Sequence, residues 1–209
     1  MTGSSIVRWF RRAEIALCVI GFSLLGGALA SIVNTRVYQA RQGRAFSDME
    51  RSAAASTDGL VSPPVSASVG PTTPSLDADP LVLGRIEIPR IGVSAIVREG
   101  DDDTTLSIAV GHIPGTARPG ERGNMALAGH RDSFFRALRH IRIHDTICIR
   151  TAGRRYEYRV DATEVVAPEA TQVLDQTGGA FLTLVTCYPF GYLGRAPDRF
   201  IVHASRLPP

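Results

Sequence analysis

Three residues carry the types of side chain that acyl transfer needs: Cys187, His130 and Arg199. Cys187 closes the apolar run TLVTC at 183–187, whose small and β-branched residues are typical of a strand. His130 follows the sequence LAG, and Arg199 precedes the apolar run FIV. A thiol, an imidazole and a guanidinium could together carry an acyl group as a thioester, which suggests an enzyme that cuts a peptide and rejoins it.

Each of the three side chains fits one role. An unperturbed cysteine has a pKa of about 8.5, so the attacking thiolate needs a positive neighbour near neutral pH. A histidine, whose unperturbed pKa is about 6.5, can pair with that thiolate and then protonate the departing amine. Arginine stays charged and cannot act as a base, so Arg199 is better suited to hold the substrate carbonyl or its oxyanion.

Other residues compete for these roles. His112 also follows a glycine at the end of a predicted strand, and Arg195 lies in the glycine-rich segment after the cysteine. We favour His130 for the histidine role and Arg199 for the arginine role, because Arg199 opens a strand that fixes its position. Cys148 lies between two isoleucines that share the opposite strand face, which predicts a packing residue.

Further polar positions have two interpretations each. Thr186 either binds substrate or is an ordinary β-branched strand residue, and we carry it as a substrate-binding candidate. Asp132 either orients the imidazole or caps the helix that follows, and capping is the preferred interpretation. The acids at 101–103 predict a solvated turn or a helix cap, because they lack the spaced ligands of a calcium loop. No metal site is predicted.

The pattern of turn residues predicts an all-β domain over 81–207. Short β-rich runs alternate with glycine, proline and aspartate, as in a barrel or a sandwich. A helical pattern covers 133–140, with its first residue a candidate cap and with Phe134, Leu138 and Ile141 on one face. The predicted strands cover residues 83–88, 93–97, 107–112, 124–129, 145–150, 155–160, 181–186 and 199–205, with a hairpin through Ala152-Gly153.

Residues 15–33 form an uncharged stretch of 19 residues near the N-terminus. At about 1.5 Å per residue, a helix of this length crosses most of a hydrocarbon core about 30 Å thick. Arginines on both sides leave the positive-inside rule undecided. We place 1–12 in the cytoplasm and 13–34 in the membrane as an anchor, because the chemistry lies downstream. A secretory signal cleaved after Ala30 is the alternative.

Residues 52–80 are rich in Ser, Ala, Thr and Pro and contain no aromatic residue that could seed a core. This composition predicts a flexible linker, which we assign to 35–80 with a candidate short helix at 36–51. Such a coil would span roughly 40 Å and hold the following domain away from a bilayer.

The net charge of +3 is mild and the basic residues are spread along the chain, so no nucleic-acid partner is predicted. All of the 23 basic residues are arginine. If the chain transfers acyl groups to lysines, those lysines therefore belong to other proteins. Three cysteines do not make a disulfide scaffold, although Cys148 and Cys187 could pair outside the cytoplasm.

Taken together, TLVTC at 183–187, the Gly-His pair at 129–130 and the later Arg199 resemble the signature of the sortases, which are membrane-anchored cysteine transpeptidases. The segment PGERGN at 119–124 and the sequence TCYPF at 186–190 make the chain look most like class D. The resemblance implies an eight-stranded β-barrel over about 81–207, with the family's catalytic residues meeting at one groove.

By this resemblance, His130, Cys187 and Arg199 are the expected catalytic residues. The implied enzyme sits in the cell membrane as a single-pass protein with its catalytic domain outside the cytoplasm. Its expected substrates are secreted proteins with a C-terminal sorting signal of the Leu-Pro-x-Thr-Gly type, and its acceptor is an amine on a cell-wall precursor or a surface protein. No metal or organic cofactor is implied.

Two alternatives stay open at this point. One is a hydrolytic cysteine peptidase on the same scaffold, in which water outcompetes the amine. The other is a non-enzymatic anchored surface domain, in which Cys187 is structural and pairs with Cys148. The missing aromatic lid motif and the missing second span weakly favour surface-protein attachment over pilin polymerisation.

Overall fold

Eight strands close into one barrel in the computed structural model, which describes residues 3–58, 79–176, 178–192 and 194–208. Around the barrel the strand order is β1-β2-β3-β4-β7-β8-β6-β5, and β5 pairs back onto β1. The pairs β2/β3 and β4/β7 are parallel, and the other pairs are antiparallel. The strands are β1 Val82–Ile88, β2 Val93–Glu99, β3 Val110–His112, β4 Gly123–Ala128, β5 Thr146–Arg150, β6 Arg155–Val166, β7 Ala180–Tyr188 and β8 Asp198–Arg206.

The predicted eight-stranded barrel is therefore confirmed. Closure removes the open sheet edges that would otherwise leave backbone groups unpaired. Alternate side chains from all eight strands fill the interior, as the alternating sequence pattern requires. The inward set in the strands that carry the chemistry is Met125, Leu127, Leu182, Leu184, Val202 and Ala204. The intervening residues of these strands face the outside of the barrel.

One predicted strand is wrong in its first half. Residues 107–112 were expected to be extended, but α2 covers Asp103–Ile108 and only Val110–His112 form β3. The side chain of Asp102 accepts hydrogen bonds from the backbone N–H groups of Thr104 and Thr105, which caps the helix. These bonds lower the pKa of Asp102. The interpretation of the acids at 101–103 as a helix cap is thereby confirmed.

The segment after β4 is a turn followed by a 3₁₀ helix at Arg136–His140. The cap predicted at residue 133 does not form, because the helix begins later and its N-cap, Phe135, makes no side-chain cap bond. Leu138 is fully buried, and Phe134 and Ile141 pack against the core. The predicted apolar face is therefore present on a shorter helix.

The chain divides into two compact units, Met1–Tyr38 and Gln39–Pro209. Helix α1, Gly3–Asp58, supplies the described part of the first unit. Within Glu14–Ser52 it is long and apolar enough to cross a membrane, by length and composition. From Glu14 onward, where the side chains are described, large apolar residues of this unit such as Leu17 and Phe22 are exposed. Such a helix could span a membrane, and the anchor at 13–34 stays a prediction.

The first part of the segment assigned to the linker is helical, and this helix extends beyond the candidate helix at 36–51. Helix α1 runs to Asp58, and its residues from Gln39 onward belong to the barrel unit. Phe46 is 2% exposed. Gln39 donates to the carbonyl of Ile108 (2.7 Å) and accepts from the backbone N–H of Ile96 (2.9 Å). Packing and hydrogen bonds thus hold this part, whereas 59–78 lie outside the described residues.

An ion pair fixes the same helix farther along. Both Nε and Nη2 of Arg150 donate to the carboxylate of Glu50, at 3.1 and 3.2 Å. Arg150 also contacts Glu87 on β1, so one guanidinium joins α1 to two barrel strands. We refer to residues 39–52 as the docked helix.

Candidate active site

Cys187 and Arg199 lie opposite each other on neighbouring strands. In the antiparallel pair β7/β8, Cys187 is the Cα partner of Arg199. Both residues alternate with inward-facing ones, so their side chains leave the same outer face of the barrel. Directly opposed residues in such a pair have Cβ atoms about 4.5–5.5 Å apart. The register therefore places the two residues side by side near the end of the β7/β8 pair.

His130 reaches the same face through the parallel pair β4/β7. The last register position is Ala128 opposite Val185, and the N–H of Gly129 donates to the carbonyl of Val185 at 3.1 Å. His130 lies two residues after Ala128, and Cys187 lies two residues after Val185. Because Gly129 is hydrogen-bonded to Val185 and Thr186 of β7, the backbone of His130 lies beside the end of β7, near that of Cys187.

Gly129 has a packing reason to be glycine. A Cβ at this position would lie 2.7 Å from a ring carbon of Phe135, which is fully buried beneath the chain. The backbone can therefore approach the core just before His130 only without a side chain at 129. This close approach directs the exposed imidazole outward.

Exposure differs among the three side chains. His130 is exposed, whereas Cys187 and Arg199 are half-buried. The Arg199 Nη1 donates to the carbonyl of Asp198 at 3.0 Å. A substrate can reach all three groups, while two of them keep the ordered surroundings of a strand.

An aromatic cluster supports the ends of β7 and β8. The ring of Phe190 lies 6.0 Å from that of Tyr188 and 5.2 Å from that of Phe200, both edge-on. Tyr188 and Phe200 stack at 6.2 Å. Such contacts fix the strand ends directly after Cys187 and Arg199.

Thr186 joins the two strands that carry the thiol and the imidazole. Its side chain is 3% exposed, and its hydroxyl donates to the carbonyl of Gly129 at 2.7 Å. This is the structural interpretation of the residue, and a contact with substrate stays a prediction.

The rival histidine is in a different setting. His112 is 1% exposed, its Nδ1 lies 3.1 Å from a carboxylate oxygen of Glu99, and its Nε2 lies 2.9 Å from the carbonyl of Ala117. Both ring nitrogens thus face acceptors inside the protein. The rival arginine, Arg195, is exposed in the connection after β7, without the strand register that places Arg199.

The other candidates have structural roles. Cys148 is buried on β5, and burial raises the pKa of its thiol. It is a free thiol, as are Cys18 and Cys187, so the disulfide alternative is absent from the structure. Asp132 lies 3.5 Å from the Nε of Arg131 and is not the cap of the 3₁₀ helix.

The sequence analysis missed Arg131, which directly follows His130. Only 7% of this residue is exposed, although arginine is rarely buried. Its guanidinium donates to three backbone carbonyls of the connection after β7, those of Pro189, Tyr192 and Gly194, at 2.9, 2.6 and 3.1 Å. Nothing in the sequence signals these bonds, since their partners lie about sixty residues away.

A second segment crosses the same outer face beside β4 and β7. The carbonyl of Val173 accepts hydrogen bonds from Asn124 on β4 and from Thr183 on β7, at 3.1 and 3.4 Å. Next to it lies a cavity of about 430 Å³, lined in part by Asp161, Phe181 and His203. The outer face of β7 therefore runs from Cys187 at one end of the strand to this cavity at the other end.

Among the residues that the structure describes, no three His, Cys, Asp or Glu side chains are grouped so that they could hold a metal ion. The arrangement at the ends of β4, β7 and β8 instead combines a nucleophile, a proton carrier and a fixed positive charge. That combination suits attack on a carbonyl group.

Comparison with known proteins gives one family. Residues 86–207 match the sortase domain. Sortase D of Bacillus subtilis is 34% identical over 125 residues, which are 59% of this chain and 63% of that protein. Sortase A of Streptococcus agalactiae is 30% identical over 133 residues, covering 59% of this chain and 52% of that protein. The chain thus spans between half and two thirds of these relatives.

Solved structures of sortases are also similar to this chain. A Clostridium perfringens Sortase D5 transpeptidase is similar with a TM-score of 0.60 and 26% identity, covering 83% of this chain and 98% of that chain. Both comparisons include class D members, in agreement with the resemblance found in the sequence. Because the family match covers more than half of the residues, the chain belongs to the sortase family.

Proposed function

We propose that this protein is a membrane-anchored cysteine transpeptidase that cleaves a C-terminal sorting signal and transfers the acyl fragment to an amine. The observation that carries the proposal is the register of β7 and β8, which pairs Cys187 with Arg199. His130 follows β4, and the parallel pairing of β4 with β7 supports its assignment to the same site.

In the first half-reaction, the Cys187 thiolate attacks the carbonyl carbon of the scissile amide. The guanidinium of Arg199 stabilises the oxyanion of the tetrahedral intermediate. His130 gives its proton to the departing nitrogen, the C–N bond breaks and the C-terminal fragment leaves as an amine. The N-terminal fragment is now a thioester on Cys187.

In the second half-reaction, an acceptor amine attacks the thioester carbonyl. His130 takes a proton from the attacking nitrogen, and the thiolate of Cys187 leaves. One amide bond has replaced another, so the reaction consumes no external energy source. Every step uses groups of this chain and of its two substrates.

Substrate and acceptor are proposed by class. A sorting signal of the Leu-Pro-x-Thr-Gly type fits an extended segment lying along the outer face of β7, where the concave end beyond Thr183 offers room upstream. The acceptor is an amine of a cell-wall precursor or a surface protein. The apolar stretch of α1 would hold the enzyme at the cell membrane, with the barrel outside the cytoplasm.

The direct test is ligation. The full chain in detergent is incubated with a sorting peptide, with and without an amine such as triglycine, and products are identified by mass. A ligated product that forms only with amine supports transfer, and Cys187→Ala should abolish all turnover. Hydrolysis alone, even at high amine concentration, would instead favour the peptidase alternative.

A further inference from the structure

We propose that Arg131 is a positioning residue that fixes the connection after Cys187 as one wall of the substrate groove. The proposal rests on the function proposed above and adds a residue that the catalytic constellation does not include. Arg131 acts on substrate only through the backbone that it holds.

The contacts of Arg131 are concentrated on one segment. Nη1 donates to the carbonyl of Pro189, and Nη2 donates to the carbonyls of Tyr192 and Gly194. The two donors thus gather carbonyls from both ends of a short stretch of backbone. Asp132, whose side chain is 77% exposed, lies 3.5 Å from Nε.

The burial of the Arg131 guanidinium among mainly neutral carbonyls has to be explained energetically. Removing a charge from water is unfavourable unless hydrogen bonds replace the lost hydration. Here three carbonyl oxygens supply those bonds, and the fork of donors on an arginine can reach them together. A lysine ammonium carries its three donors on one nitrogen, so it cannot span the carbonyls that the guanidinium reaches with two nitrogens.

The contacts of Arg131 matter because of where the segment that it holds lies in the chain. The connection leads from Cys187 on β7 to Arg199 on β8, so it runs from the nucleophile to the oxyanion-binding residue. Arg131 itself follows His130. One side chain therefore ties the end of the histidine strand to the backbone that joins the other two catalytic residues.

If the three bonds are lost, the connection is held by the packing of Phe190 but loses its polar anchor. A groove wall that moves binds the peptide less well, because substrate binding must then order it. Since the paired strands still place Cys187 and Arg199, the effect should appear mainly in KM.

The test compares Arg131→Met, Arg131→Lys and the control Arg136→Met, all in the full chain in detergent. Arg136 is exposed and lies five residues farther along. Two quantities are measured: amide hydrogen exchange in the peptide that follows Cys187, and KM and kcat for a sorting peptide. Arg131→Lys keeps the buried charge and serves where Arg131→Met does not fold.

We expect faster exchange in that peptide for both Arg131 variants and not for Arg136→Met. KM should rise roughly tenfold in Arg131→Met and less in Arg131→Lys, with kcat changed less than KM. A loss of folded enzyme alone would lower the apparent kcat and leave KM unchanged.

Unchanged exchange in both Arg131 variants would overturn the anchoring, and faster exchange with an unchanged KM would overturn the role in the groove. If the wild-type protein processes no sorting peptide, the proposed function fails. The exchange measurement then still decides whether Arg131 holds the connection.

Discussion

At the scale of single residues, the site depends on neighbours that fix where each reactive group points. Gly129 lets the backbone pass the ring of Phe135, Thr186 bonds to the carbonyl of Gly129, and the strand pair aligns Cys187 with Arg199. The reactive side chains themselves stay accessible. A half-buried thiol on a rigid frame is suited to repeated acylation and release.

The role given to Arg199 can be tested against its neighbour. Arg199→Gln should lower kcat by about a hundredfold or more, because loss of one oxyanion donor typically costs that much. Arg195→Gln, the matched change in the exposed connection, should leave kcat within about twofold of wild type. Steady-state rates with a fluorogenic sorting peptide give both values. Equal losses in the two variants would remove Arg199 from the mechanism.

The sequence motifs single out Cys187, His130 and Arg199, and the pairing of Cys187 with Arg199 agrees with that choice, while their catalytic roles stay predictions. The partners of Thr186 and Arg131 could not be predicted from the sequence. Their hydrogen bonds join segments that are close only in the closed barrel. The residues that surround Thr186 and Arg131 in the sequence do not indicate these contacts.

At the scale of elements, the docked helix is the main addition to the predicted architecture. Phe46 and Ala45 are buried, and Gln39 bonds to two backbone groups of the barrel unit. These contacts make residues 39–52 part of the folded domain. A protein that begins at the first strand would lack them.

The helix contribution is measurable with a matched pair of variants. Phe46→Ala should lower the free energy of unfolding by about 3–5 kcal/mol, since it empties a buried aromatic site. Met49→Ala, at a 40% exposed position of the same helix, should have a much smaller effect. Chemical denaturation of the full chain in detergent measures both. Similar losses would show that Phe46 is not packed as described.

An ion pair between exposed Arg90 and buried Asp145 gives the barrel a defined acid response. Asp145 is 7% exposed and accepts from the guanidinium of Arg90 and, at 2.7 Å, from the N–H of Arg142. These bonds, that of Arg90 foremost, lower the pKa of Asp145 in the folded state. A lowered pKa stabilises the fold above the unfolded value of about 3.9, and that stabilisation is lost as the pH falls through the folded value.

Asp145→Asn tests this response. Wild type should exceed the variant in unfolding free energy most clearly above about pH 4, and the difference should shrink on acidification. Asp132→Asn, at an exposed carboxylate, should follow the wild-type curve. Denaturation midpoints across pH 2–7 provide the comparison, and a pH-independent difference for Asp145→Asn would contradict the account.

Most strands could be predicted because the alternation of apolar and polar residues, and the turn residues between strands, can be read from the local sequence. The strand predicted at 107–112 began too early, because residues 107 and 108 belong to the helix Asp103–Ile108, which the capping bonds of Asp102 stabilise. The docked helix was underestimated because its stability comes from contacts with β-strands far along the chain.

At the scale of the whole molecule, barrel closure is what assembles the site. The parallel β4/β7 pair joins segments more than fifty residues apart, and alternation alone cannot predict that pairing. The resemblance to the sortases implied an eight-stranded barrel in which residues from different strands meet. The same closure places the groove outside the core, where a second protein can enter it.

The account makes Cys187 the carrier of the acyl fragment, and mass spectrometry tests that most directly. The full chain is mixed with a sorting peptide without amine, quenched in acid and digested. We predict an adduct of the N-terminal peptide fragment on Cys187 that hydroxylamine removes and that Cys187→Ala lacks. Peptide cleavage without any adduct, or an adduct confined to another residue, would contradict the central claim.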